Sequence, residues 1–335
     1  MFNGKSILVT GGTGSFGREC ISILLQDYKP DRVIVFSRDE LKQSEMQQDH
    51  RFDSPCIRYF LGDVRDRERL TRAFRDVNHV IHAAALKQVP AAEYNPHEFI
   101  KTNIGGAINI VDAAVNCGVE RVIAVSTDKA VNPINLYGAT KLCSDKVFVA
   151  SNSYASRTST RFSVVRYGNV IGSRGSVIPV LLRQRSRGRL TVTDPRMTRF
   201  FIPLQDRVRF VLDCIGRMAG GEIFVPKIPS CKTSIIVDEM SAGCTVEIIG
   251  RRPGEKIHEV LVSEDDSVNT VELPDRFIIT PSHSFWGSHI DKLRGVQCPD
   301  GFSYASNTNP DQMSPERVRA ICRSMARSLG LDDDF

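Results

Sequence analysis

The sequence predicts an α/β protein, a doubly wound parallel sheet followed by a smaller C-terminal α/β domain. Three observations carry this. A glycine loop joins the first short apolar run to the first helical stretch. Further β-branched runs then alternate with helical segments as far as Val165. Polar and reactive residues gather just past the ends of those runs, where a doubly wound sheet holds its ligands. The 335 residues allow one or two domains. We place the first in residues 1–175, with some later segments returning to it, and the second mainly in residues 176–335.

Taken in order, Lys5 to Thr10 is the first strand, and it stops at Gly11-Gly12-Thr13-Gly14-Ser15-Phe16-Gly17. Glycines at 11, 14 and 17 permit a tight turn and let the backbone of a helix N-terminus approach a pyrophosphate. The helix then runs through Gln26. The second strand, Arg32 to Phe36, ends where such a fold meets the adenosine ribose. An enzyme using NAD usually has an acid about twenty residues past the glycine loop. Here Ser37 and Arg38 stand there, a hydroxyl and a guanidinium suited to a 2′-phosphate, so NADP is the expected cofactor. Asp39 follows, and Arg38 has an alternative as a solvated residue at a helix start.

The third strand, Ile57 to Leu61, leads into Gly62-Asp63-Val64. Asp63 can accept from an adenine amino group or cap a helix beginning near Arg65. The fourth, Val80 to His82, ends in Ala83-Ala84-Ala85-Leu86-Lys87. Small residues let a cofactor lie against the backbone, and Lys87 is a substrate contact or a surface charge. Thr102 to Cys117 reads as an apolar helix delivering the chain to the fifth strand, Val122 to Val125.

The chemistry belongs in Ser126 to Lys141. Thr127, Asp128 and Lys129 follow the strand end and face the pocket. Tyr137 and Lys141, spaced i, i+4, share one face of the next helix. A free phenol titrates near 10, but a nearby ammonium and a cationic nicotinamide would favour the phenolate. Without that context, Tyr-x-x-x-Lys is equally an exposed helix face.

The sixth strand, Phe162 to Val165, ends in Arg166-Tyr167-Gly168-Asn169-Val170. Organisation changes from Ser176. Arg183, Arg185, Arg187, Arg189, Arg196 and Arg199 lie close together, around Met197-Thr198-Arg199-Phe200. No aromatic interleaving supports nucleic acid. Anion binding by one or two of these arginines, with the rest solvated, is expected instead. Val246 to Ile249 precede Gly250-Arg251-Arg252-Pro253-Gly254-Glu255-Lys256, a turn that offers one more arginine and a carboxylate suited to a ribose hydroxyl. A closing helix would have Ser314 as its cap and Pro315 at its first position.

Composition is consistent with this. Apolar residues make up 41% and charged residues 25%, ordinary for a soluble globular chain. The net charge of +5 suits an anionic small substrate. Nine scattered cysteines, without a Cys-x-x-Cys pair or a His cluster at metal spacing, suggest free thiols in a reducing compartment and no metal. Ile7 to Val9 is too short for a signal peptide and no long apolar run follows. A cytoplasmic protein with no membrane and no nucleic-acid partner is expected.

Together these residues resemble the extended short-chain dehydrogenase/reductase superfamily acting on sugar nucleotides. Thr10 to Gly17, Ser37 to Lys42, His82 to Lys87, Ser126 to Lys141, Arg166 to Pro179 and Arg252 to Lys256 resemble, more closely, the inverting UDP-N-acetylglucosamine 4,6-dehydratases that open pseudaminic acid synthesis. The likeness runs over roughly residues 4–262, with Pro133 to Lys141 most specific. Ser234 to Met240 departs from the family's usual helix-forming run.

The resemblance implies a Rossmann-type fold and NADP held by Gly11, Thr13, Gly14, Ser15, Phe16, Gly17, Ser37, Arg38, Lys42, Asp63, Val64, Ala83, Ser126, Tyr137 and Lys141. It implies that Tyr137 takes the proton of the sugar 4-hydroxyl, Lys129 removes the C5 proton and Asp128 protonates the departing 6-hydroxyl. Reprotonation of C5 from the other face would give a UDP-4-keto-6-deoxy-L-sugar. It also implies Lys87, Asn169, Thr198, Arg199, Arg252 and Glu255 around the UDP-sugar, and a homo-oligomer such as a hexamer. For Lys129 to act as a base it must lose its proton about three units below its free value, roughly 4 kcal/mol. Burial beside Lys141 and the nicotinamide favours that loss and Asp128 opposes it. The alternative is a Lys129 salt-bridged to Asp128.

Three rivals share the fold. Dehydratases that also epimerise carry the same Thr-Asp-Lys but tend to have methionine where Tyr137 stands. A sugar-nucleotide 4-epimerase has no use for the Asp128–Lys129 pair. A cofactor-sensing regulator would be expected to lose Tyr137 or Lys141.

Overall fold

The computed structural model describes residues 1–153, 155, 160–172, 176–282 and 295–331. Ser173 to Gly175, part of the stretch Arg166 to Pro179, lies outside the described residues. The first half runs β1 (Ser6–Thr10), α1 (Ser15–Asp27), β2 (Arg32–Ser37), α2 (Glu40–Gln47), β3 (Ile57–Leu61), α3 (Arg67–Ala73), β4 (His79–His82), α4 (Val89–Tyr94), α5 (Pro96–Phe99), α6 (Gly106–Cys117), β5 (Arg121–Val125), α7 (Leu136–Ala150) and β6 (Arg161–Val165). The second half runs β7 (Asn169–Ile171), α8 (Val177–Arg185), β8 (Arg189–Val192), β9 (Thr198–Pro203), α9 (Leu204–Arg217), β10 (Ile223–Pro226), β11 (Ser230–Lys232), α10 (Thr233–Asp238), β12 (Thr245–Ile248), β13 (Val260–Val262), β14 (Thr270–Glu272), β15 (Arg276–Ile279), β16 (Val296–Gln297), β17 (Tyr304–Ala305) and α11 (Pro315–Ser328).

Ten strands form one sheet in the order β16-β14-β15-β10-β6-β5-β4-β1-β2-β3. From β10 to β3 neighbours pair in parallel, and β15, β14 and β16 add antiparallel pairs at one edge. The chain winds from β1 outward to β3, then returns to β4 on the other side of β1. That reversal opens a crevice beyond the carboxyl ends of β1 and β4. All five residues of β1 are buried. Helices cover both faces of a parallel sheet, which is why its strands read as continuous apolar runs rather than alternating ones.

The first six strands lie within a residue of where periodicity predicts them. Three details differ. The helix expected near Arg65 begins at Arg67, and its cap is Asp66, whose carboxylate accepts from the Arg69 amide at 2.9 Å. The apolar helix expected from Thr102 enters through a π-helical stretch, Ile100–Gly105, before α6. Ser234 to Met240 still holds a helix, the short α10, because Ile236, Val237 and Met240 bury against a second apolar core.

That second core gathers Leu181 and Leu182 of α8, Leu190 and Val192 of β8, Phe201 of β9 and Val318 and Cys322 of α11. Two small sheets adjoin it, β11-β9-β7 and β12 beside β8, while a third, β13 beside β17, packs on the main core through Leu261, Val262 and Tyr304. Helix α11 starts with Ser314 accepting from the Arg317 amide and Pro315 in the first turn, as expected. All nine cysteines are free thiols. Among the described residues no helix is long and apolar enough to cross a membrane.

Candidate active site

Three adjoining cavities follow the crevice, of about 410, 270 and 250 Å³. The first and second share Ala83, Ala85, Lys87 and Arg207. The second and third meet at Asn169. They form one cleft with the Ser126–Lys141 segment in its middle.

Gly11, Thr13, Gly14, Ser15 and Phe16 wall the first cavity. Gly11 has φ +67°, and a Cβ on it would come within 3.0 Å of the Ala84 backbone. Only a bare backbone fits between β1 and the end of β4. Gly14 offers α1 no side-chain cap, so the first amides of the helix remain available to an anion. Gly17 does not line the cavity. It packs against Gly12, where a Cβ would lie 2.5 Å from the Gly12 Cα, and so presses α1 onto the sheet. These features fit the diphosphate of a dinucleotide.

The far end of this cavity holds Ser37, Arg38, Asp39, Lys42, Asp63 and Val64. The Ser37 and Thr13 hydroxyls lie 2.8 Å apart. Asp39 caps α2 by accepting from the Lys42 amide at 3.0 Å, and its other oxygen pairs with the Lys42 ammonium. The acid nearest the strand end is therefore already engaged. Arg38 is half exposed and sits 3.5 Å from Asp63. The Asp63 carboxylate is held mainly by Arg65, at 2.8 Å. It forms a local turn with the Arg65 amide, not the cap of α3.

The second cavity is lined by Ser126, Thr127, Lys129, Tyr137, Lys141 and Asn169. Asn135 caps α7 by accepting from the Gly138 amide at 2.7 Å. Gly138 is what brings the two halves of the segment together: a Cβ there would lie 2.1 Å from the Lys129 carbonyl oxygen. Any other residue would push Tyr137 away from Lys129. The i, i+4 spacing puts both Tyr137 and Lys141 on the buried face, not on an exposed one.

Asp128 is fully buried beside this cavity. Its Oδ1 accepts from the Thr127 hydroxyl at 2.8 Å and from the Lys129 ammonium at 3.0 Å, while Oδ2 has no partner. Lys129 Nζ also lies 3.2 Å from Oε1 of Glu259, a buried carboxylate whose Oε2 is likewise unpartnered. Burial opposes the charge on Lys129, but the carboxylates of Asp128 and Glu259 outweigh it and hold the ammonium above its ordinary range. Of the two states the sequence leaves open for Lys129, the ion pair with Asp128 is the one present.

Tyr137 is pushed up by burial and held back by the positive charge of Lys129, the Thr127 hydroxyl and Arg207. Lys141 is pulled down by burial, against Asp145. The cation acting most on the phenol is therefore Lys129, not Lys141 as helix spacing alone suggests. The Ser126 hydroxyl donates to Asp145 at 2.8 Å.

The third cavity collects Asn169, Arg199, Arg252 and Glu255. The turn carrying Arg252 and Glu255 is tied to the Ser126–Lys141 segment: Asn135 donates to the Gly254 carbonyl at 2.8 Å, and Lys256 to that of Val131 at 2.5 Å. Arg199 is the one arginine of the basic cluster that lines this cavity. Arg185 is tied to the carbonyls of Met240 and Ala242, Arg189 to Glu247 and Arg196 to Asp194. Thr198 is not among the lining residues. Its hydroxyl is 2.9 Å from His258 Nδ1 and 2.6 Å from the Ser306 hydroxyl.

Two charged residues of the cleft escape sequence reading. Glu259 lies in an unremarkable run before β13, and only folding brings it to Lys129. Arg207 sits in the amphipathic helix α9 with Asp206 and Arg209 beside it, which reads as a solvated face.

The model of the polysaccharide biosynthesis protein family matches residues 7–281. The inverting UDP-N-acetylglucosamine 4,6-dehydratase of Campylobacter jejuni subsp. jejuni is 54% identical over 329 residues, covering 96% of this chain and 98% of the relative. A UDP-glucose 4-epimerase of Rickettsia akari is 42% identical over 283 residues, covering 82% of each. Among solved structures, Pen from Bacillus thuringiensis superposes with a TM-score of 0.87 at 35% identity, covering 96% of this chain and 98% of that one. DesIV, a dTDP-glucose 4,6-dehydratase from Streptomyces venezuelae solved with bound NAD, gives a TM-score of 0.65 at 26% identity, covering 75% and 86%. Matched this far along its length, the chain belongs to the polysaccharide biosynthesis protein family of extended short-chain dehydrogenases/reductases, in its branch of inverting UDP-N-acetylglucosamine 4,6-dehydratases.

Proposed function

We propose that this chain dehydrates UDP-N-acetylglucosamine across C5 and C6 with inversion at C5, giving a UDP-4-keto-6-deoxy-L-sugar. One observation carries the reading: a buried acid, Asp128, paired with the partly exposed amine of Lys129 in the cavity that Tyr137 lines. A 4-epimerase needs only the tyrosine and the cofactor. Elimination needs a base for C5 and an acid for the 6-hydroxyl as well. Incubation with UDP-N-acetylglucosamine, with the product's C5 configuration read by NMR, tests it. Recovery of the 4-epimer with its 6-hydroxyl intact would overturn it.

A nicotinamide dinucleotide held by the first cavity would supply reversible hydride transfer, for oxidation at C4 and reduction at C6. The chain's own residues handle the protons. Tyr137 takes the proton of the 4-hydroxyl. The resulting ketone acidifies C5. A single proton shift from the Lys129 ammonium to Asp128, across their 3.0 Å contact, creates the neutral amine and the protonated acid together. Lys129 then takes the C5 proton, Asp128 gives its proton to the departing 6-hydroxyl, and water leaves. No proton need be exchanged with solvent before elimination.

In this reading residues 1–175 mainly hold the cofactor and residues 176–335 mainly the sugar nucleotide. Gly11 to Phe16 face the diphosphate, Ser126 and Lys141 the nicotinamide ribose. Asp63, Val64 and Ala83 flank the adenosine side and the stem of the cofactor. Lys87, Asn169, Arg199, Arg252 and Glu255 hold the UDP-sugar, and Thr198 supports Arg199 from behind. A homo-oligomer working in the cytoplasm, of about hexamer size, completes the reading, and sedimentation analysis tests that part.

NADP is the dinucleotide we assign. Arg38 reaches the cavity edge, and Asp39, which would favour an unphosphorylated ribose, is engaged by Lys42. Arg38→Ala is expected to weaken NADP binding by roughly tenfold or more, the worth of one charged hydrogen bond, and NAD binding by much less. Equal losses in a titration of both cofactors would remove Arg38 from the 2′-phosphate site.

A further inference from the structure

The cleft holds one more cation for which the roles above have no task. Arg207 lies in the first turns of α9 and lines both the first and the second cavity. Its guanidinium carbon is 4.0 Å from the centre of the Tyr167 ring and 4.7 Å from that of Phe16. Among the described residues no carboxylate pairs with it, and its buried Nε has no hydrogen-bond partner. Burial pulls it down to about 9, with only Tyr137 opposing. Stacking on two rings satisfies the flat faces of a guanidinium but none of its five N–H donors. The donor edge remains free for a ligand. Lys87, exposed at the same junction, lines both cavities as well. Among the described residues neither cation has a carboxylate partner.

The neighbours indicate which anion belongs there. Phe16, under the guanidinium, is in the first turn of α1, whose free amides face the same cavity. Arg207 does not line the third cavity, where Arg199 and Arg252 lie. Its reach is therefore toward the glycine loop rather than toward the far end of the sugar nucleotide. We infer that Arg207 binds the diphosphate of the dinucleotide, closing from α9 over the helix N-terminus that holds its other side. A guanidinium is suited to this, because its planar fork matches two phosphoryl oxygens at once. The inference rests on a nicotinamide dinucleotide occupying the first cavity.

The test compares wild type, Arg207→Ala and Arg207→Lys by calorimetric titration with four ligands: NADP⁺, 2′-phospho-ADP-ribose, 2′-AMP and UDP. Alanine is a good helix former, and matching melting curves would verify that the fold survives. Arg207→Ala should weaken NADP⁺ and 2′-phospho-ADP-ribose by roughly tenfold to a hundredfold. Binding of 2′-AMP, which lacks the diphosphate, and of UDP should change less than about twofold. Arg207→Lys should recover part of the loss, since it keeps the charge but not the fork. A loss confined to UDP, a loss equal for 2′-AMP and 2′-phospho-ADP-ribose, or no loss at all would overturn the inference. Wild-type chain that bound neither NADP⁺ nor 2′-phospho-ADP-ribose would instead sink the cofactor reading, and the inference with it.

Discussion

Tyr137→Phe is expected to stop oxidation at C4 while leaving the fold and the affinity for UDP-sugar nearly intact. The phenol is buried against Ala92 and Phe99, so the ring keeps its packing when one hydroxyl is removed. In the proposed reading the UDP-sugar is held mainly from the third cavity, which Arg199, Arg252 and Glu255 line. What is lost is a base placed at the 4-hydroxyl, typically worth about 10²–10⁴ in rate. Burial raises the Tyr137 pKa and the Lys129 ammonium opposes that rise. The wild-type rate of oxidation should therefore climb with pH as the phenolate forms, and the residual rate of the variant should not. Single-turnover formation of the 4-keto sugar measures both. Full-rate oxidation by the variant would mean that another group takes the proton.

How much of this is legible in the sequence follows from the range of each interaction. The strands β1 to β6 are visible because each is a buried run bounded by turn residues, a local signal. The glycine loop is visible because Gly11, Gly14 and Gly17 are neighbours in sequence, as are Asp128 and Lys129. The edge of the sheet is not visible: β14, β15 and β16 are three, four and two residues long and acquire meaning only by pairing with β10 and each other. Glu259 reaches Lys129 through the same kind of long-range contact, and nothing in the run before β13 marks it. Thr198 illustrates the opposite difficulty. It stands inside a suggestive motif, yet the strand alternation of β9 directs its hydroxyl to His258 and Ser306 while Arg199 takes the cavity. Gly138 looks like a helix-weakening residue in sequence, and only its approach to the Lys129 carbonyl explains why it is there.

Lys129→Met separates elimination from oxidation. If Lys129 serves C5, the variant should still form a 4-keto sugar, one that keeps its 6-hydroxyl. Wash-in of solvent deuterium at C5 should fall by about 10²–10⁴. The electrostatics of the site add a second, independent signature. The Lys129 ammonium is the leading charge that lowers the Tyr137 pKa, so its removal should displace the pH profile of oxidation upward without lowering its plateau. Exchange at C5 should stay low at every pH. Glu259→Gln works in the opposite direction. Glu259 helps to hold Lys129 protonated, so removing its charge lowers the Lys129 pKa and enlarges the neutral fraction at a given pH. The shift of a proton from Lys129 to Asp128 becomes easier, and C5 exchange at a given pH should rise. A merely structural role for Lys129 would depress oxidation and C5 exchange together instead of sparing oxidation. Wild-type exchange in Lys129→Met, or C5 exchange that does not rise in Glu259→Gln, would put the C5 base elsewhere.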